Sequence, residues 1–438
     1  MPLRAPTGSR FLNSSPSTSE RIAAGGWRIV VLASLGGALE FYDFVIFGIF
    51  AKDIADAIFP NPTPLVSLIV TFGAFAAGYL ARPIGGIVLS HFGDRYGRRR
   101  VFLTSIFVMS AATFGMGLVP TFAAWGASAS VLMVTLRLVQ GFCLGGELPG
   151  ALTYVVETEP RQAPFVCGVV FSCVTMGVAA ASGVSLALRT WLPADIVPAF
   201  GWRIAFMLGG LGGLVSFVLR RSLEESPEFA RMKQLAATQP FREVVQRHFR
   251  HVALGVATLA ATAGFTGLFF SHMPAYMSGV LGYNPRQVVV SQTAAVVVHA
   301  LGILGVGRLA SRVDPRLLLR AGALTLVVLA FPWYVALAGH AASATLLLIL
   351  AGLCGSLING TFAVLLTRLF PTRVRFSGVA LGFNVAFTIF SGTAPLVATS
   401  LIRSSGLTAA PAFVMILCGA LTLVAAQLST FKSQLSAS

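Results

Sequence analysis

Five ionisable side chains stand inside long apolar stretches of this sequence: Glu40, Asp43, Arg82, Arg137 and Glu147. Placing a charge at the centre of a lipid-spanning helix costs on the order of 2.5 to 3.5 kcal/mol, so such residues are kept mainly where they work. Glu40 and Asp43 are three apart, which puts them on one helical face, and Arg137 and Gln140 share that spacing. Burial favours the neutral acid and a nearby arginine favours the carboxylate. An acid beside a movable cation therefore takes up and releases a proton as its surroundings change. Glu40, Asp43 and Glu147 are the candidate proton carriers, with Arg137 or Arg82 neutralising either the acid or an anionic ligand. Permanent ion pairs that hold helices together are the competing reading of the same residues.

The rest of the chain supports a lipid setting. It has 438 residues, 56% hydrophobic and only 11% charged, with a mean hydropathy of +0.82; soluble domains carry roughly 25% charged residues. The net charge of +16 would suit nucleic acid if it formed one stripe. Instead the arginines fall in short clusters between apolar runs, which excludes that partner and fits loops at a membrane surface. Cys143, Cys167, Cys173, Cys354 and Cys418 lie within apolar runs without metal-ligand spacing, so they read as reduced thiols and no metal or cofactor is expected.

A helix needs about 20 apolar residues to cross the hydrocarbon layer, and the sequence offers twelve such runs. They cover residues 27–51, 65–92, 101–119, 131–156, 165–188, 201–219, 252–281, 287–308, 317–338, 341–368, 376–402 and 411–430. The fold class is thus all-α, a polytopic membrane protein in two six-helix pseudo-symmetric bundles. The division is a tail at 1–26, a first bundle at 27–220, a linker at 221–251, a second bundle at 252–430 and a short tail at 431–438. Most lysines and arginines fall in the even-numbered loops and tails, while Lys52, Arg189, Arg203, Arg286 and Arg403 lie on the other side. That bias predicts both termini in the cytoplasm of an inner membrane. GDRYGRRR at 93–100 and the degenerate GRLASRVDPR at 307–316 follow equivalent spans of the two halves. Such a repeat predicts a binding site near the bilayer midplane between the bundles.

SHFGDRYGRRR at 90–100 resembles the loop signature of the major facilitator superfamily. GGALEFYDFVIFG (36–48), ARPIGG (81–86), RLVQGFCLGGE (137–147), GWRIAF (201–206), LEESPEF (223–229) and FPTRVRFSGVALGFN (370–384) together resemble its metabolite:proton symporter family. The resemblance implies a twelve-helix fold, uptake, and proton coupling. It also implies gating roles for Asp94, Arg95, Gly97, Arg98, Arg99 and Glu157 where the bundles meet the cytoplasm. The expected transporter works as a monomer on protons and a small polar metabolite. Bidentate arginine suits a carboxylate, so an organic acid of the di- or tricarboxylate type is the leading substrate class. Zwitterionic osmolytes are the alternative, ahead of drug antiport or a sensor derived from a transporter. Tyr42, Arg82, Arg137, Gln140, His272, His299, Asn359 and Asn384 are the candidate substrate-binding residues. For the last four, packing helices together through polar side chains is an equally common use. No zinc-protease pattern, nucleophile elbow or phosphate loop points to an enzyme.

Overall fold

The computed structural model describes residues 24–435 apart from 97, 146, 159–161, 194 and 222–239. Much of the amino-terminal tail, most of the 221–251 linker and the last residues of the carboxy-terminal tail lie outside the described residues.

Among the described residues, nine helices are long and apolar enough to cross a membrane. A tenth crossing is the pair Ser34–Ile49 and Ala51–Ile58, bent by 61°. The shorter apolar helices Leu103–Leu118 and Ala127–Cys143 take the third and fourth places and complete twelve. The spans are apolar on nearly every side because the outer face meets lipid. Leu80, Ile84, Val131, Val215, Leu301, Val328 and Leu417 are exposed there, while Glu40, Asp43, Arg82, Arg137 and Gln140 are buried inside. That inversion of the usual soluble pattern follows from the solvent being hydrocarbon.

Helix pairing repeats between the halves. The first span packs on the fifth, the second on the fourth and the third on the sixth; the seventh, eighth and ninth repeat this with the eleventh, tenth and twelfth. Across the interface the fifth span lies along the eighth and the second along the eleventh, which are equivalent pairs under the same operation. Small residues permit this closeness. A Cβ on Gly141 would stand 1.8 Å from the carbonyl oxygen of Gly78, and one on Gly48 would stand 2.5 Å from that of Ser271.

The helices depart from the sequence expectation in three ways. The second helix continues to Tyr96 and the third begins at Arg98, so helix occupies most of the signature expected to be loop. Arg95 suits the C-terminal end of the second helix, whereas Arg98, Arg99 and Arg100 open the third against the sense of its dipole. The fourth span is not continuous over 131–156. It is interrupted at Leu144 and Gly145 between Ala127–Cys143 and Glu147–Thr158, because Pro149 has no N–H to give the carbonyl of Gly145. The seventh and eleventh spans contain π-helical turns, Thr266–His272 and Phe387–Gly392. Such turns commonly mark functional sites and leave no period that a sequence reveals.

Candidate functional site

The first four spans converge on two buried polar groups. The first is Glu40 with Arg82, whose Nη2 donates to Oε1 at 2.6 Å. The second runs through three helices. Nη1 of Arg137 donates to Oε1 of Gln140 at 2.6 Å, Nε2 of Gln140 donates to Oγ1 of Thr113 at 2.7 Å, and Thr113 donates to Oδ2 of Asp43 at 3.2 Å. Oδ1 of Asp43 and Nε and Nη2 of Arg137 are buried without a hydrogen-bond partner among the described residues. An unpaired buried polar atom costs roughly 1 to 3 kcal/mol, more when charged.

Aromatic rings replace water around the cations. The guanidinium of Arg137 lies 4.3 Å from the centre of the Phe47 ring, 4.7 Å from Phe44 and 5.3 Å from Phe75. That of Arg82 lies 5.4 Å from both Phe44 and Tyr79. Cation–π attraction in such dry surroundings contributes about 2 kcal/mol or more. These rings hold a charge while leaving hydrogen-bonding edges unused.

Tyr79 carries the cluster to the interface. Its hydroxyl accepts from Ser391 at 3.3 Å, and its backbone carbonyl accepts from Thr388 at 2.8 Å. Pro83 stands four residues after Tyr79 and has no N–H, so the second helix leaves that carbonyl unpaired. Pro149 does the same to Gly145, whose oxygen accepts from Nδ2 of Asn384 at 2.6 Å. Asn384 and Thr388 are one turn apart on the eleventh span. Two carbonyls freed by prolines in one half are thus docking points for two side chains of the other.

The interface is in contact at both ends. Gly168 meets Gly307 at the end richer in arginine, where Nη1 of Arg375 also donates to Oε1 of Glu157 at 3.0 Å. At the far end Gly48 abuts Ser271 and Phe72 lies against His272, ring centres 5.5 Å apart.

The remaining expected site residues are dispersed. Tyr42 turns into its own half, where its hydroxyl donates to the carbonyl of Ala205 at 3.0 Å; it anchors the sixth span. Asp43 likewise has its described neighbours within the first half, Thr113 and Gly209, so it sits one layer behind the interface. Nδ1 of His299 must donate to the carbonyl of Gly352, 2.6 Å away, since a carbonyl only accepts; Nε2 then accepts from Asn359 at 3.0 Å. His299 and Asn359 therefore join the eighth and tenth spans. His272 lies elsewhere, 3.1 Å from Oγ1 of Thr399. Gly97 and the side chains of Glu147, Asp94, Arg95, Arg98 and Arg99 lie outside the described residues. Sequence reasoning did not single out Thr113, Tyr79 or Thr388, since a lone hydroxyl in an apolar run carries no signal. The proline four residues after Tyr79 is a signal that could have found that carbonyl.

Two pseudo-symmetric helical bundles enclosing a buried charged cluster define a multi-pass membrane transporter. The chain belongs to the Major Facilitator Superfamily, whose sequence profile matches residues 33–395. It is 32% identical over 421 residues to the ectoine/proline transporter ProP of Corynebacterium glutamicum, covering 91% of this chain and 83% of that one. It is 31% identical over 427 residues to a citrate-proton symporter of Klebsiella pneumoniae, covering 95% and 96%. Among solved structures, the proton:xylose symporter XylE matches with a TM-score of 0.74 at 15% identity, over 92% of this chain and 94% of that one.

Proposed function

We propose that this chain is a proton-coupled symporter that imports a small metabolite bearing a single carboxylate, of the zwitterionic osmolyte or amino-acid class. The observation that carries the reading is the inequality of the two arginines. Arg82 is paired with Glu40 at 2.6 Å and leaves Nε alone without a partner among the described residues, whereas Arg137 joins none of the described ion pairs and leaves two donor nitrogens, Nε and Nη2, without one. One cation with an unused edge suits one carboxylate. A tricarboxylate would bring more negative charge than this cluster neutralises, and a buried unmatched charge is very costly. The relatives include carriers named for proline and ectoine and another named for citrate. The charge balance supports the first kind over the organic-acid reading that the sequence favours.

Asp43 takes the proton in this scheme, with Glu40 and Glu147 as the further acids of the same bundle. The arginine-rich end, with Glu157 and the 93–100 signature, faces the cytoplasm as the positive-inside bias requires, placing both termini there in a bacterial inner membrane.

The test is uptake of labelled proline, glycine betaine, ectoine and citrate into energised cells, with and without a protonophore. The expected result is protonophore-sensitive accumulation of at least one of the first three, lost in Asp43→Asn. Accumulation of citrate alone would overturn the substrate class, and accumulation indifferent to the protonophore would overturn the coupling.

A further inference from the structure

Asp43 and Arg137 carry opposite charges in the same bundle, yet none of the described ion pairs joins them. They are connected through Thr113 on the third span and Gln140 on the fourth. We infer that Thr113 and Gln140 are the transmission between the two sites, reporting the protonation of Asp43 to the guanidinium of Arg137 through a chain of hydrogen bonds of fixed polarity. The inference rests on the reading of Asp43 as the proton carrier.

The polarity follows from the chemistry of the end group. Guanidinium nitrogens only donate, so Gln140 must present its oxygen to Arg137. Its amide nitrogen is then left to face Thr113, whose oxygen accepts it. The single hydroxyl proton of Thr113 goes to Oδ2 of Asp43. Every donor in the chain points towards the carboxylate, and the arrangement is strongest when Asp43 is ionised. A hydrogen bond to an ionised acceptor is roughly twice as strong as a neutral one.

Protonation removes that acceptor charge. If the proton settles on Oδ2, the Thr113 hydroxyl must rotate away, for which its i−4 backbone carbonyl offers an acceptor. If it settles on Oδ1, the bond at Oδ2 loses its charge assistance. Linked hydrogen bonds polarise one another, so either event weakens the hold of Gln140 on Nη1 of Arg137. The guanidinium, already lacking partners for Nε and Nη2 among the described residues, becomes freer to turn towards a carboxylate. Gly209 leaves room beside the buried Oδ1, since a Cβ there would stand 2.5 Å from it.

Infrared difference spectroscopy of the full chain in liposomes during a pH jump tests this without a transported substrate. Wild type should show a carboxyl band that Asp43→Asn removes, accompanied by a guanidinium band change that Arg137→Lys removes. Thr113→Val should keep the carboxyl band and lose the guanidinium response, Thr113→Ser should restore it, and Gln140→Leu should lose it as Thr113→Val does. Melting in detergent checks that each variant folds, and Gln140→Leu carries the test if Thr113→Val does not fold. A guanidinium response that survives Thr113→Val or Gln140→Leu means the pair only glues helices and overturns the inference. A wild type with no Asp43-dependent carboxyl band sinks the proton reading itself, which is a separate outcome.

Discussion

Thr388 supplies Tyr79 with the hydrogen bond that Pro83 denies it. The threonine hydroxyl donates to the Tyr79 carbonyl oxygen at 2.8 Å from the opposite half of the molecule, and the helical donor to that oxygen would be the amide of residue 83. The second helix is thus incomplete until the eleventh closes on it. Stranding a buried acceptor costs about 1 to 3 kcal/mol. Thr388→Val should therefore move the protein from the closed form by roughly tenfold or more, read as broader distances between spin labels on the two halves. Pro83→Ala returns an amide to the helix and should make Thr388→Val nearly silent. If the two substitutions simply add, the carbonyl is not what links them.

Glu157 and Arg375 close the arginine-rich end by a different interaction, a pair 3.0 Å apart whose side chains keep 17% and 19% of their surface exposed. Partial solvation limits it to about 1 kcal/mol, roughly fivefold in an open-to-closed equilibrium. Glu157→Gln should lengthen the mean distance between labels at Arg100 and Arg312 by that change in population. The exchange Glu157→Arg with Arg375→Glu should recover most of it. Unchanged distance distributions in Glu157→Gln would mean the pair contributes nothing to closure.

The apolar runs reveal the twelve spans because hydrocarbon demands them, and the twofold relation is legible in the repeat after the second and eighth spans. Glu40, Asp43, Arg82, Arg137 and Gln140 stand out because ionisable or amide side chains are costly in lipid. Their connections do not. Asp43 reaches Arg137 through Thr113 of a third helix, and the identity of that hydroxyl depends on the register between helices, which spacing along one helix does not encode. Tyr42 shows the same limit from the other side: it adjoins Asp43 and both side chains face Gly209 of the sixth span, where the tyrosine hydroxyl is spent on the carbonyl of Ala205. His299 is fully buried, yet both its ring nitrogens are spent, on the Gly352 carbonyl and on Nδ2 of Asn359, while Asn359 keeps Oδ1 without a partner among the described residues.

Gly141 sets how near the second and fourth spans can lie. Its Cβ position is 1.8 Å from the oxygen of Gly78, against an ordinary contact of about 3.5 to 4.0 Å, so a methyl group forces backbones apart. Gly141→Ala should destabilise the protein by about 1 to 3 kcal/mol or more, measured by unfolding in detergent. Gly115→Ala on the third span is the control, because a Cβ there meets only Leu136 at 3.6 Å, an ordinary contact. Equal melting of the two variants would show that the helices yield without cost.

Glu40 and Arg82 are each 2% exposed by side chain and 2.6 Å apart, which raises the question of whether they are scaffold or machinery. Removing one partner of a buried pair costs about 3 to 5 kcal/mol, while replacing both with apolar groups is often neutral. Arg82→Met alone should therefore lower the unfolding free energy by about 3 to 5 kcal/mol, and Glu40→Leu with Arg82→Met should recover most of that loss. Transport then separates the two roles. Arg82 packs on Tyr79, which meets Ser391 of the other half, so the pair lies directly beneath the moving interface. The double variant is expected to melt like wild type yet carry less than a tenth of its uptake. Wild-type uptake by that variant would reduce the pair to a fixed strut, and the proton and carboxylate chemistry would then rest on Asp43 and Arg137 alone.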